Sequence, residues 1–419
     1  MMRSLSVRVL IALVAGLALG AAAAAYAGDG LKGVIEGFES VGTLWLNGLR
    51  MTVVPLLFSV LVVGIAGVAD AAATGKLAFK ALAWFLGFLL VGCAWTLAFG
   101  EGFYALFPVS EIGAQALTAG APPPPAEVLA TPSFGVFLKS LAPTNPIQAA
   151  AADAILPLVV FAAFFAFAVT RLPDPRRIAL TEFFDSIAQA MVVIVRWVLW
   201  AAPVGVFALA LGVGLRAGVG AAGVIAHYIV AVVLAQVGIT ILAYLAAVFA
   251  GRVPFMAWTR AMAPVQVTAF ATQSSIACLP AMIEQSRDQL GVPDRITGLV
   301  LPLAVSVFKL TSPVANLGVA IFVAQVYGID PTPVQYLGAV IIALAVSVAS
   351  VGLPGQVSFF MSTGPICLVL GLPLDLLPIL IAVEVIPDIF RTVGNVTGDM
   401  AVTAILARDQ RTAPETAEA

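Results

Sequence analysis

Long runs of apolar residues recur from one end of this chain to the other. Each of eight runs is long enough for the roughly 20 residues that an α-helix needs to cross a bilayer. They cover residues 7–27, 43–69, 77–107, 133–170, 183–214, 218–250, 297–326 and 372–407. This pattern predicts an all-α polytopic membrane protein with eight transmembrane helices.

Two further apolar stretches, 256–290 and 333–370, are each interrupted near the middle. The interruption is Gln-Ser-Ser at 273–275 in the first and Gly-Leu-Pro-Gly at 352–355 in the second. Because each half is too short to cross, both stretches predict re-entrant helical hairpins. Non-helical backbone at membrane depth must be buried in protein or line a wet cavity, as it does around transport sites.

The composition agrees with a membrane protein and excludes several other classes. Of the 419 residues 61% are hydrophobic and 10% are charged, and the mean hydropathy is +1.08. Soluble domains carry about 25% charged residues, so a soluble enzyme and a disordered chain are both excluded. A net charge of −2 with so few basic residues also excludes a nucleic-acid partner.

The first apolar run has two interpretations. Arg3 and Arg8 before it, and Ala-Tyr-Ala at 25–27 after it, resemble a cleaved signal peptide. We expect a retained helix instead, because eight spans then place both termini and most basic residues on one side, while Lys32 and Arg216 lie opposite. The positive-inside rule assigns that side to the cytoplasm. We therefore expect a multi-pass protein of the cytoplasmic (inner) membrane with both termini cytoplasmic.

Few residues could support covalent chemistry. Cys93, Cys278 and Cys367 have no metal-like spacing, and His227 is the single histidine. We expect all four to be packed side chains, the protein to be no enzyme, and no cofactor to be required apart from a coupling cation.

The last apolar run carries a stripe of polar residues. Their spacings of 4, 3, 4 and 4 place them on one face of an α-helix. The stripe residues are Glu384, Asp388, Arg391, Asn395 and Asp399. Charges in membrane segments are costly and usually functional. The alternative is a salt-bridge network that only stabilises the fold.

Lys309 adds a second cation in the preceding span, four residues before Pro313, which predicts a break in the helix there. The three carboxylates of the stripe contribute −3 and the two cations +2. The cluster is therefore one positive charge short, which a proton, a metal cation or a substrate ammonium could supply.

Over residues 40–407 the sequence resembles the dicarboxylate/amino acid:cation symporter family, which includes glutamate and aspartate transporters and defines the sodium:dicarboxylate symporter fold. The matching motifs are residues 49–56, 269–275, 352–355 and, most specifically, the Asp-Ile-Phe-Arg-Thr-Val-Gly-Asn-Val-Thr-Gly-Asp run at 388–399. The resemblance implies eight helices plus two hairpins, a homotrimer, and an elevator-type motion of a transport domain against a scaffold.

The resemblance also implies a division of the chain. Residues 1–76 would form scaffold helices 1 and 2, and 77–110 transport-domain helix 3. Residues 111–215 would form scaffold helices 4 and 5 with an external loop. The rest of the transport domain would be 216–407, with a cytoplasmic tail at 408–419.

Site residues can be carried over from the family motifs. Arg391 would pair with the side-chain carboxylate of an acidic substrate, because a guanidinium can bind a carboxylate through two parallel hydrogen bonds. Asp388 would hold the α-ammonium, and Thr392 and Asn395 would complete the pocket. The substrate α-carboxylate would lie at the hairpin tips, against Ser274, Ser275, Gly352 and Gly355.

The sequence departs from the family where sodium would bind. The family's Asn-Met-Asp-Gly-Thr run reads Phe-Lys-Leu-Thr-Ser at 308–312, and the third helix has aromatic and aliphatic residues at 84, 85, 88 and 89 in place of hydroxyls. Most sodium ligands are therefore missing. The expected coupling region consists of Lys309, Ser312, Glu384, Asn395 and Asp399.

These departures suggest that Lys309 takes the place of a lost sodium ion and neutralises Asp399. Transport would then be independent of sodium at that position, and either proton-coupled or exchange-like. A purely structural Lys309–Asp399 pair is the alternative.

The expected function is secondary active transport of a small acidic amino acid such as aspartate or glutamate across the lipid bilayer. The coupling cation, proton or sodium, stays open. A C4-dicarboxylate symporter is the nearest alternative. A substrate sensor or an anion-conducting relative that no longer transports is an alternative of another class, and a membrane-embedded enzyme is more remote.

Overall fold

A computed structural model describes residues 5–26, 32–73, 75–118, 139, 141–217, 220–349 and 355–410. These residues form seventeen α-helices and no β-strand. The first eight are α1 (Leu5–Tyr26), α2 (Lys32–Ala73), α3 (Lys76–Leu106), α4 (Glu111–Thr118), α5 (Pro146–Ala151), α6 (Ile155–Val169), α7 (Asp174–Trp200) and α8 (Ala202–Ala217).

The second half of the chain contains the nine remaining described helices. They are α9 (Gly220–Phe249), α10 (Phe255–Thr272), α11 (Ser275–Asp288), α12 (Asp294–Val307), α13 (Thr311–Tyr327), α14 (Pro333–Ala349), α15 (Gly355–Val369), α16 (Leu377–Val383) and α17 (Val385–Leu406). The prediction of an all-helical protein is confirmed for the described residues.

Among the described residues, five helical segments are long and apolar enough to cross a membrane, judged by length and composition. They are Gly37–Ala69, Lys76–Leu106, Asp174–Trp200, Ala222–Phe249 and Asp294–Tyr327. The last of these comprises α12, α13 and the break between them. These segments identify a membrane protein, and the count of eight spans stays a prediction.

Besides run 297–326, whose break the sequence predicts, three of the predicted runs are not single helices. Run 133–170 was wrong as one span, because α5 and α6 are separated by a turn in which Asp153 has a φ of 51°. Run 183–214 is divided at Ala201, two residues before Pro203. Run 372–407 is divided at Glu384, where Pro387 has no N–H to donate to the carbonyl of Val383.

The first interrupted stretch forms a helical hairpin. α10 ends at Gln273, whose φ of 52° is left-handed, and the extended residue Ser274 begins the next helix. The Ser274 hydroxyl accepts a hydrogen bond from the Ala277 N–H at 3.3 Å, so it caps α11. In the second stretch α14 and α15 pack against each other, and residues 350–354 between them lie outside the described residues.

The helices surround α17. α3 and the consecutive helices α9 to α13 all pack against it, and its C-terminal half is buried. A second apolar core joins α1 and α2 to α6, α7 and α8, and it continues through α9 and α13 to α16. The polar stripe therefore faces other helices and not lipid.

Candidate substrate and coupling site

One end of the stripe forms a buried cluster of paired charges. The Arg391 guanidinium pairs through Nη2 with Glu384 Oε1, and these side chains are only 8% and 2% exposed. The Tyr228 hydroxyl of α9 donates a hydrogen bond of 3.0 Å to Glu384 Oε2. Asp388 Oδ1 lies 3.9 Å from Arg391 Nε, one turn along the same face. The guanidinium is thus held between two carboxylates.

Arg391 keeps a donor for a further partner. Its Nε is buried and has no hydrogen-bond partner among the described residues. A guanidinium presents five N–H donors in a fixed fork, which matches the two oxygens of a carboxylate. The Asp388 side of Arg391 can therefore bind an acidic ligand while the Glu384 side stays paired.

The middle of the stripe anchors the start of α13. Asn395 Oδ1 accepts hydrogen bonds from the Thr311 N–H at 3.0 Å and the Thr311 hydroxyl at 2.9 Å. The same hydroxyl lies 2.8 Å from the Arg391 carbonyl oxygen. The first N–H groups of a helix lack intrahelical partners, so Asn395 satisfies one of them.

Two glycines let the break between α12 and α13 approach α17 closely. A Cβ on Gly394 would lie 2.3 Å from Thr311 Cγ2. A Cβ on Gly398 would lie 2.9 Å from Leu310 Cδ2 and 3.3 Å from Phe308 Cε1. Residues 308–310 are non-helical, as Pro313 predicts, and they are pressed against this face.

The other end of the stripe is a carboxylate without a partner. Asp399 is fully buried, and neither of its oxygens has a hydrogen-bond partner among the described residues. Within that part of the chain, Lys309 is the one charged side chain close enough to act on Asp399 electrostatically. The half-buried Lys309 also interacts with Asp388 and Arg391, and it makes no ion pair within 4.0 Å with any described residue. The structure therefore places Lys309 near Asp399 without the expected contact.

Aromatic rings surround the backbone beside Lys309. The Phe308 ring stacks on Phe85 of α3 with centroids 4.5 Å apart, and it meets Phe88 edge-on at 6.4 Å. All three are buried. Hard cations prefer several oxygen ligands, which phenyl rings do not supply. No cluster of three or more potential metal ligands of the His, Cys, Asp or Glu type occurs among the described residues.

The other predicted site residues lie at the edges of this cluster. Ser312 accepts a hydrogen bond from Asn316 at 3.3 Å, and Asn316 accepts one from Thr363 of α15 at 3.4 Å, so this chain leads to the second hairpin and not to Asp399. The Thr392 hydroxyl donates to the Asp388 carbonyl at 3.0 Å.

The hairpin tips are less fully described. Ser274 and Ser275 are half-buried at the start of α11, and no hydrogen bond joins them to the stripe among the described residues. Gly355 begins α15, and Gly352 lies outside the described residues.

Sequence reasoning missed Tyr228 and Thr311. Their partners, Glu384 and Asn395, lie in a distant segment, so no local sequence pattern indicates either contact. His227 itself packs as expected, with its ring 5.7 Å from Tyr104. The three cysteines are free and buried.

Comparisons with known proteins identify the family and relatives of this chain. The model of the sodium:dicarboxylate symporter family matches residues 5–409. The proton/glutamate-aspartate symporter of Escherichia coli (strain K12) is 29% identical over 97% of this chain and 92% of its own length. The neutral amino acid transporter B(0) of Bos taurus is 30% identical over 93% of this chain and 77% of its own length. The proton/sodium-glutamate symport protein of Bacillus subtilis (strain 168) is 27% identical, with coverages of 88% and 85%.

Proposed function

Because this chain belongs to the sodium:dicarboxylate symporter family, a family of membrane transporters, we propose that it moves an acidic amino acid such as aspartate or glutamate across the cytoplasmic membrane. The observation that carries the proposal is the position of Asp388 beside Arg391, 3.9 Å apart on one helix face. A carboxylate and an ammonium on one substrate need these two opposite charges side by side.

The substrate would bind to the free edge of the guanidinium. Its side-chain carboxylate would take the unpartnered Nε of Arg391, and its ammonium would take Asp388. Thr392 and Asn395 would position these groups. The α-carboxylate would lie at the N-termini of α11 and α15, where helix dipoles favour an anion. Ser274, Ser275, Gly352 and Gly355 belong to that part of the proposed site.

Charge balance explains why such a transporter would need an accompanying cation. The five ionisable groups of the cluster sum to −1, and an acidic amino acid adds a further −1. A net charge of this size is costly in a medium of low dielectric constant, so a cation must enter with the substrate. Relatives described as proton or proton/sodium symporters support this step.

The proposal includes features that the resemblance implies. These are a homotrimer, an elevator motion of the transport domain, an inner-membrane location and cytoplasmic termini.

Uptake by counterflow in proteoliposomes tests the proposed function. Vesicles loaded with unlabelled aspartate should accumulate labelled aspartate, and external glutamate should compete, whereas serine and alanine should not. A C4-dicarboxylate carrier would instead prefer succinate, and its transport would survive Asp388→Asn. Binding of aspartate without counterflow would indicate a sensor or an anion-conducting relative.

A further inference from the structure

Asp399 lies in an environment that an isolated charged carboxylate does not tolerate. It is fully buried, and no donor reaches either oxygen among the described residues. Burying an ionised group without a partner costs many kcal/mol, so proteins pair such groups or neutralise them. The carboxylate therefore requires a positive partner that belongs to the protein or enters from outside.

Lys309 is held next to this carboxylate by the residues on both sides of it. Phe308 and Leu310 both pack against Gly398, at the position that a Cβ would occupy. Gly398 directly precedes Asp399. On the other side, Thr311 is hydrogen-bonded to Asn395, one helical turn before Asp399. The Lys309 backbone is thus fixed against the turn of α17 that carries the carboxylate, and only its flexible side chain needs to move.

A bound metal cation does not fit the same place. The Phe308 ring, which stacks on Phe85, packs against Gly398, the residue directly before Asp399. The oxygen of Asn395 is already accepting two hydrogen bonds from Thr311, and the hydroxyl of Ser312 faces Asn316. Asp399 would be left as the main oxygen ligand, and one carboxylate does not replace the several oxygen ligands that a hard cation needs.

We propose that the Lys309 ammonium is a covalently tethered counter-cation of Asp399 that replaces a bound metal cation, so that transport needs no sodium. In the conformation described above, the Lys309 side chain does not contact Asp399. Rotation of that side chain forms the ion pair. The statement about transport depends on the proposed function, whereas the pairing of the two residues does not.

Melting temperature and uptake, measured on the same purified protein, test this pairing. The variants are Lys309→Met, Asp399→Asn, the double variant, and the charge-preserving Lys309→Arg. Lys80→Met is the matched control, because Lys80 is exposed on α3. Each is measured with sodium chloride and with choline chloride.

The pairing predicts strong coupling between the two substitutions. Lys309→Met alone should lower the melting temperature and reduce uptake about tenfold, and adding Asp399→Asn should recover most of both losses. Lys309→Arg should be the mildest change at this position, and Lys80→Met should have no effect. The native protein should melt and transport equally in sodium and in choline.

Three results would overturn the inference. The first is a double variant no better than Lys309→Met, with Asp399→Asn alone harmless, which would mean that Asp399 is neutralised by a proton. The second is a melting temperature of the native protein that rises steeply with sodium. The third is uptake that requires sodium. If no substrate is transported at all, the proposed function fails, while the melting temperatures still decide whether the residues are paired.

Discussion

The two ends of the polar face of α17 differ in how their charges are satisfied. At the Glu384 end, Arg391 pairs with one carboxylate and lies beside a second, and Tyr228 donates to the first. At the other end, Asp399 is equally buried and has no hydrogen-bond partner among the described residues.

In the two proposals above, this difference corresponds to two tasks along one helix. The Glu384 end contains charges of both signs, which match the carboxylate and the ammonium of the proposed substrate. Among the described residues Lys309 is the one cation near Asp399, and the two side chains form no ion pair. Under the same two proposals, substrate binds at the first end and Lys309 neutralises the second.

The largest expected effect is the loss of the cation at the paired end. Arg391→Gln leaves Glu384 buried without a charged partner, which costs about 3–5 kcal/mol of the free energy of unfolding. Aspartate uptake should be abolished, and the melting temperature in detergent should fall. Arg260→Gln, at an exposed position of α10, is the control. If Arg391→Gln still transports aspartate, the substrate does not bind at this end of the helix.

A smaller effect is expected at the boundary between the two ends. In Gly394→Ala the added Cβ would lie within 2.7 Å of both Thr311 Cγ2 and Thr240 Oγ1, so α13 must move away from α17. Overpacking of this kind costs about 1–3 kcal/mol, measurable by denaturant unfolding. Gly298→Ala in α12 is the matched control, since its Cβ would meet nothing within 4 Å. Equal stability of the two variants would contradict the close packing.

Removing one hydrogen bond to the paired carboxylate sharpens the comparison further. Tyr228→Phe deletes the donor to Glu384 Oε2 and leaves the ion pair with Arg391 in place. The expected cost is about 1.5 kcal/mol, the lower end for a hydrogen bond to a charged group, with uptake retained. In the double variant Tyr228→Phe with Glu384→Gln, the loss of unfolding free energy should be smaller than the sum of the losses in the two single variants. Strict additivity would mean that the hydroxyl does not act through Glu384.

The smallest effect is expected outside the polar face. Arg50 of α2 and Asp375, which precedes α16, form a half-exposed ion pair with 3.3 Å between Nη2 and Oδ1. Exposed pairs contribute about 0–1 kcal/mol, so Arg50→Ala should barely change the melting temperature. If Arg50→Ala lowers the melting temperature as much as Arg391→Gln does, the ion pairs of the polar face are no more important for stability than this half-exposed pair.

Much of the fold and part of the site follow from local sequence patterns. The stripe from Glu384 to Asp399 is visible because helical periodicity acts within one segment, and Pro313 marks the break because a missing N–H has a local effect. The division of run 372–407 could also have been predicted from Pro387.

Contacts between distant segments could not be predicted in this way. Tyr228 and Glu384 are 156 positions apart, and nothing in either segment specifies the other. The same holds for Thr311 on Asn395, and for the stacking of Phe85 on Phe308. The departure from the family's sodium-binding motif suggested a Lys309–Asp399 pair, but side-chain direction depends on packing, and the structure leaves the two apart.

Aspartate counterflow into proteoliposomes, with sodium replaced by choline, tests the central claim most directly. The account predicts equal accumulation of labelled aspartate in the two salts at matched pH, and none in Arg391→Gln. Accumulation that appears only with sodium, or that is absent in both salts, would contradict it.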